Sequence, residues 1–301
     1  MVDSEKATRW PQLPLSAWRD TRDTLHMYTQ IVGKIRLALA PFERGWANVP
    51  FYVTARGFTT SAMPYGERLL EIEFDFVRHE LVFAASDGRI TSVPLAPARS
   101  VADIYAEVMA ALRALDVQVK IWPVAVEVPS PLRCDEDRVH TSYDPEYAHR
   151  FWQILVRIVS VFVEYRAPFP GRHTPVQFFW GTFDLAYVRF SGRPAEPPPQ
   201  SDNITRRAMD AQEIAAGFWT GDDRFPEAAF YCYAYPKPAG LEQVPVQPTA
   251  AFWSETLGEF LLSYEEVRRA PSAREAILEF LASSYDACAT LAGWDSSQLR
   301  P

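Results

Sequence analysis

The spacing His26-x3-Gln30-Ile31-x2-Lys34-Ile35 recurs 123 residues later as His149-x3-Gln153-Ile154-x2-Arg157-Ile158. Tyr28 and Phe151 correspond at the same offset. Positions i, i+4 and i+8 lie along one face of a helix, so each copy reads as a helix with a His–Gln–cation stripe on an otherwise apolar cylinder. A second pair of segments matches at an offset of 172: Ser100, Asp103 and Glu107 against Ser272, Glu275 and Glu279. Each half therefore reads helix–strands–helix, the pattern a duplication leaves. The expected fold is α+β, with two pseudo-repeats, 1–130 and 131–301, sharing one core. The alternative is two amphipathic helix pairs that look alike because they pack alike.

Local signals fill in the elements. A helix is predicted from Ser16 to Ala40, ended by Pro41, which cannot continue it. Strands are predicted at Phe51–Ala55 and Leu70–Val77; in the latter Ile72, Phe74 and Phe76 alternate with Glu71, Glu73 and Asp75. Asp87-Gly88 joins Leu81–Ala85 to Ile90–Val93 as a hairpin. Ser100 caps a helix to Leu115, and Val124–Val128 is read as a short strand. Asp144 caps a helix to Tyr165, with Pro145 at its first position. Strands follow at Val176–Trp180 and Phe183–Phe190, then a solvated proline-rich loop over 193–200. Thr205–Gly217 is predicted as a weak helix and Ala229–Tyr235 as a strand with Tyr231, Tyr233 and Tyr235 on one face. Ala251–Leu262 reads as extended around Gly258, and Ser272 caps a last helix to Ala292.

Composition limits the function. The 301 residues are 48% hydrophobic and 23% charged, enough for a core without disulfide or metal staples. The net charge of -8 and the absence of a Lys/Arg run argue against nucleic acid as a partner. Cys134, Cys232 and Cys288 are odd in number and far apart, which suits reduced cytoplasmic thiols, and no Cys/His cluster has zinc spacing. The N-terminus lacks an apolar secretory core, and Arg157 and Glu164 interrupt the longest apolar stretch, so neither a leader nor a membrane span is expected. Phosphate-cradling glycine loops, a GxSxG elbow and HExxH are all missing.

The candidate chemistry lies in three places. Asp135, Asp137, His140, Tyr143 and Asp144 crowd the connector before the second stripe; a histidine beside a carboxylate is a possible general base and a tyrosine a donor. The stripes offer His26, Gln30, Lys34, His149, Gln153 and Arg157 as a pocket lining, or else as a hydrogen-bonded seam. Phe178–Asp184 and Gly217-Phe-Trp219 are dense in aromatics, so Trp180 and Trp219 are candidate ligand walls if they are not simply core. Glu71, Glu73 and Asp75 lack the loop that a Mg²⁺ or Ca²⁺ site needs and read as a solvated sheet face. Cys134, next to an acidic run, is a poor thiolate.

Trp10-Pro-x-Leu-Pro14, Leu25-His-Met27, Thr29-Gln-Ile-Val-Gly-Lys-Ile-Arg36, Asp135-Glu-Asp-Arg-Val-His140, Phe178-Phe-Trp-Gly181 and Ala229-Phe-Tyr231 resemble a bacterial family catalogued only as a domain of unknown function. The resemblance spans nearly the whole chain and implies no activity. It does point to departures. Where relatives read His-Phe-Phe-Trp-Gly, this chain has Gln177. Where they read Tyr-Ser-His-Glu, it has Met209-Asp-Ala-Gln212. A metal or acid–base role at Gln177, Ala211 and Gln212 is thereby put in doubt.

The expectation is a cytoplasmic, cofactor-independent enzyme, a monomer or weak homodimer. It would move protons on a small, anionic organic molecule in a cleft between repeats. His140, His149 and Tyr143 would be catalytic, and His26, Gln30, Lys34, Gln153, Arg157, Trp180 and Trp219 would bind substrate, with no metal. A non-catalytic small-molecule binding protein and a structural or partner-binding protein are the alternatives.

Overall fold

The computed structural model of the chain describes residues 10–129 and 131–295. Helices and antiparallel sheets make an α+β fold. The chain forms two compact units. One comprises Ser16–Val156 and Gln177–Phe183; the other comprises Arg157–Val176, Asp184 onward and the segment up to Leu15. The chain leaves the first unit inside a helix, so these units do not follow the expected division at 130/131.

In the first unit, α1 (Leu15–Leu39) buries Leu25, Tyr28, Ile31, Val32 and Ile35 completely. The sheet contains β1 (Tyr52–Val53), β2 (Gly57–Thr59), β3 (Met63–Tyr65), β4 (Arg68–Asp75), β5 (Glu80–Ala85) and β6 (Ile90–Pro94). Its order is β1-β2-β4-β5-β6, with β3 also on β4. On β4, Leu70, Ile72 and Phe74 are buried, as the alternation requires. The strand stops at Asp75, short of the expected Val77, because the Asp75 carboxylate accepts the N–H groups of Val77 and Arg78, each at 2.9 Å, and turns the chain. The other two acids of this strand are also engaged: Glu73 accepts from Thr54 (2.7 Å) and Glu71 from Thr59.

A capping box of Ser100 and Asp103 starts α2 (Val101–Ala114). The strand expected at Val124–Val128 is absent. Val124 makes a single bridge to Arg133, and Glu127 sits at φ 58°, in the left-handed region that no strand contains. Asp144 starts α3 (Pro145–Arg166) by accepting from the N–H of Glu146 at 2.8 Å. Then β7 (Gln177–Phe179) exchanges two 2.8 Å hydrogen bonds between Phe178 and Phe51. Phe58 stacks on Phe178 at 4.5 Å, and Phe151 stacks on Phe183 at 5.4 Å, at the centre of this core.

The second unit is built on β8 (Asp184–Pro194), β9 (Ala211–Trp219), β10 (Ala229–Tyr235), β11 (Phe252–Ser254) and β12 (Glu259–Ser263), in the order β11-β12-β10-β9-β8. α4 (Asn203–Ala208), α5 (Tyr264–Arg269) and α6 (Ala273–Leu291) complete it. The helix predicted over Thr205–Gly217 is a correction: only α4 is helical there, started by the Asp202 carboxylate on the Thr205 N–H at 2.7 Å. Residues 211–219 are a central strand paired along its length with β8 and β10. Ala215, Ala216 and Gly217 look permissive for a helix, but their small size serves close approach across the sheet. A Cβ on Gly217 would stand 2.1 Å from the Leu185 carbonyl oxygen and 2.3 Å from the Tyr231 ring. The even-numbered side chains of β9 and β10 face the helices: Phe218 meets Phe230 at 5.2 Å, and Phe230 meets Phe162 of α3 at 6.5 Å. Of the proline-rich loop 193–200, the first two residues continue β8.

Candidate functional site

The first stripe is a clamp on the Phe-Phe-Trp-Gly segment. His26 is buried, and its Nε2 lies 2.9 Å from the Gly181 carbonyl and 3.1 Å from that of Trp180. Two carbonyl acceptors require a proton on Nε2, which fixes the neutral tautomer. Burial, opposed by those two carbonyls, brings the His26 pKa down to about 4. Gln30 treats Val126 as a strand partner would: its amide donates to the Val126 carbonyl at 2.9 Å, and its oxygen accepts the Val126 N–H at 3.1 Å. Lys34 is buried with its ammonium 5.6 Å from the centre of the Trp180 ring. Burial lowers its pKa, and Cys134 and Glu127 work the other way. The Trp180 indole donates to the Val49 carbonyl at 3.0 Å and lies flat against Gly33. Cys134, pushed up to about 12 by burial, is a thiol.

In the second stripe both ring nitrogens of His149 are occupied. Nδ1 donates to the Phe76 carbonyl, and Nε2 accepts from the Gln153 amide, each at 2.9 Å. Arg157 belongs to the other unit and is half-buried; its charge opposes the upward push that burial gives Tyr264.

In the connector, Asp137 accepts the Val139 and His140 N–H groups on one oxygen (2.9 and 3.1 Å) and faces His140 Nδ1 with the other at 2.7 Å. That arrangement fixes the His140 tautomer and turns Nε2 away from the carboxylate. The carbonyls of Asp137 and His140 also accept from Ala102 and Val101, the first N–H groups of α2. Tyr143 is buried, with its hydroxyl 2.9 Å from His79 Nδ1 and its pKa raised well above the usual tyrosine range by burial.

A denser set of perturbed groups lies in the second unit, on the odd-numbered face of β9 and β10. The register places Ala186, Gly217 and Tyr231 in one row, and Asp184 opposite Trp219 in the next. Tyr231 lies over Gly217 and donates its hydroxyl to Asp184 on β8. Tyr233 stacks beside Tyr231, with centroids 6.2 Å apart and planes at 14°. Glu213 enters from β9, diagonal to Tyr233, and is 6% exposed. Among the described residues its carboxyl group makes no hydrogen bond or ion pair. Burial, with Asp210 adding to it, pushes Glu213 up to about 8. Glu259 of β12 is pushed up to about 7 by burial and Asp184, against the pull of Arg224. Arg224 is held by Asp222 at 2.8 Å and sits 5.9 Å from the Trp219 ring centre.

The structure therefore brings His26, Gln30, Lys34 and Trp180 together, pairs His149 with Gln153, and puts Trp219 beside a set that sequence reasoning missed: Asp184, Glu213, Tyr231, Tyr233 and Glu259. The signal for it is the alternation Glu213-x-Ala-x-Gly-x-Trp219, a strand periodicity that overrides the weak helix expected there. No group of three His, Cys, Asp or Glu side chains among the described residues is arranged to hold a metal ion. Among those residues no helix is long and apolar enough to cross a membrane.

No curated protein and no solved structure matches the chain. One family model does match, over residues 10–301, and it contains both the Phe178–Gly181 segment and the tyrosine–carboxylate face. The chain belongs to that family, DUF5996, a family of unknown function.

Proposed function

We propose that this protein is an acid–base enzyme that moves a proton on a small organic molecule at the tyrosine–carboxylate face of β8, β9, β10 and β12. One observation carries the reading: Glu213 lies on this face only 6% exposed, and burial, with Asp210 adding to it, pushes its carboxyl group up to about 8. A core carboxyl group that only packed would cost stability and need a partner. A carboxyl group poised near neutrality is what general acid–base catalysis requires, since it gives and takes a proton with little driving force in either direction. Glu213 is the acid–base group in this reading. The Tyr231 hydroxyl donates its proton to Asp184 and so presents only acceptor lone pairs, and Trp219 and Tyr233 are walls. The test is a metabolite-depletion screen with wild-type protein and Glu213→Gln. Turnover by the wild type and none by the variant supports the reading. Equal depletion by both removes it, and saturable binding without turnover replaces it with a non-catalytic binding protein.

A second reading rests on the Asp137–His140 pair, whose 2.7 Å contact leaves His140 Nε2 as a base. In that case His140→Ala, and not Glu213→Gln, abolishes turnover. The competing role of the same pair is to order the start of α2, through the two carbonyls that accept from Val101 and Ala102.

A further inference from the structure

We infer that the buried guanidinium of Arg36 is an anion site, and that the anion it takes is the carboxylate of a small monocarboxylic acid. Arg36 lies in the last turn of α1 and is 7% exposed. Its Nε is sealed from solvent and has no hydrogen-bond partner among the described residues. Glu43 is the acid that acts on it, as the weakest of three influences, and forms no ion pair with it. A buried carboxyl group can take up a proton and a buried lysine can give one away. A guanidinium does neither at any pH a folded protein meets, so its charge stays and calls for a counter-charge. A desolvated cation without an acid is complemented by an anion from outside the chain.

The neighbours of the guanidinium add donors. Tyr52 of β1 lies beside it, with its ring centre 5.9 Å from Cζ. Gln177 of β7 is buried and donates its amide to the Tyr52 hydroxyl oxygen at 3.4 Å, which leaves the hydroxyl its own proton to give. Tyr52 is half-buried and Glu43 is exposed, so the group lies just beneath the surface. Charge and shape select the anion. No second cation is among the groups that act on Arg36, and Glu43 offsets part of its charge. The carbonyl end of α1, with its partial negative charge, adjoins it as well. That balance suits a single negative charge and disfavours a phosphate or sulfate dianion. A planar carboxylate meets the planar guanidinium fork through two parallel hydrogen bonds. Arg36, Tyr52 and Gln177 all belong to the first unit, and none of them to the tyrosine–carboxylate face.

The experiment titrates the full chain with sodium butyrate at constant ionic strength, against butyramide, sodium sulfate and sodium chloride, and follows the thermal midpoint and the Arg36 Nε–H resonance. Butyrate is expected to raise the midpoint saturably and to shift the resonance. Butyramide and chloride should do neither, and sulfate should bind about ten-fold more weakly. Arg36→Lys keeps a charge and loses the fork, and should weaken butyrate about five-fold. Tyr52→Phe loses one donor and should weaken it about three-fold. Arg36→Met should remove the response altogether; if that variant does not fold, Arg36→Lys decides. No effect of butyrate on either readout overturns the inference, as does an equal effect of butyramide, or a butyrate response that Arg36→Lys leaves unchanged. Sulfate binding as tight as that of butyrate overturns the choice of a monocarboxylate.

Discussion

The imidazole Nε2 of His26 and the carbonyl oxygen of Gly181 lie 2.9 Å apart, although 155 residues separate them in the chain. The bond itself would survive protonation, but burial disfavours the charged ring, and the fold holds the His26 pKa near 4 against an ordinary value of 6.5. The sign follows from proton counting. Below pH 6.5 the unfolded chain takes up a proton that the folded chain refuses until about pH 4. The stabilising contribution is therefore complete above 6.5 and is lost as the pH falls through that window. The loss is roughly 3 kcal/mol at the acid end. Urea midpoints from pH 7.5 to 4.5 should fall more steeply for the wild type than for His26→Gln, which is less stable at pH 7 and lacks this titration. Parallel curves would show that His26 is charged or exposed in the folded protein.

Gly33 tests the other side of the same clamp. A Cβ there would meet the Trp180 ring at 2.2 Å, and the ring is tethered by its hydrogen bond to Val49. Alanine is the better helix former by about 1 kcal/mol. Overpacking a tethered indole costs about 1–3 kcal/mol and also disturbs Lys34 above the ring. Gly33→Ala should lower the thermal midpoint despite its helix propensity. A raised midpoint would mean that the indole is free to move.

Much of the fold was legible because periodicity and caps are local. α1, α2, α3 and α6 lie where their stripes and their Ser100, Asp144 and Ser272 caps put them, and the Asp87-Gly88 hairpin joins β5 to β6. The site was less legible. Polar groups on a helix look functional in sequence whether they meet a ligand or a backbone carbonyl, and both stripes found backbone partners: Trp180, Gly181 and Val126 for the first, Phe76 for the second. Glu213, in contrast, is a single letter in a segment of small residues. Its burial depends on which strands flank β9, information that no local window holds.

Asp137 offers a graded pair of variants. Its carboxylate accepts from the Val139 and His140 backbones and from His140 Nδ1. Asp137→Asn keeps the backbone acceptor and loses the imidazole partner, so it should cost about 1 kcal/mol. Asp137→Ala loses all three and loosens the connector at the start of α2, so it should cost about 3 kcal/mol. Chemical denaturation would show that order. Equal losses from the two variants would mean that the His140 contact alone carries the effect.

Glu213 gives the opposite pH signature to His26. Its carboxyl group is raised to about 8 from an ordinary 4.5, chiefly by burial, with Asp210 adding to it. The charged group that acts on it, Asp210, is acidic too, and Tyr233 lies diagonal to Glu213 across the sheet. Below pH 4.5 both the folded and the unfolded chain hold the proton and nothing is lost. Between 4.5 and about 8 the unfolded chain releases it while the folded chain keeps it, so stability declines as the pH rises. The full swing is up to roughly 5 kcal/mol. Glutamine has the same shape and no proton to lose, so Glu213→Gln should match the wild type near pH 5 and exceed it in stability at pH 8.5. A catalytic group retained at a cost to folding behaves in this way, since activity and stability draw on the same buried charge. Guanidinium denaturation of both proteins at pH 5, 7 and 8.5 measures the difference. If the two curves stay parallel across that range, Glu213 is ionised in the folded protein, and a cationic partner or solvent already reaches it.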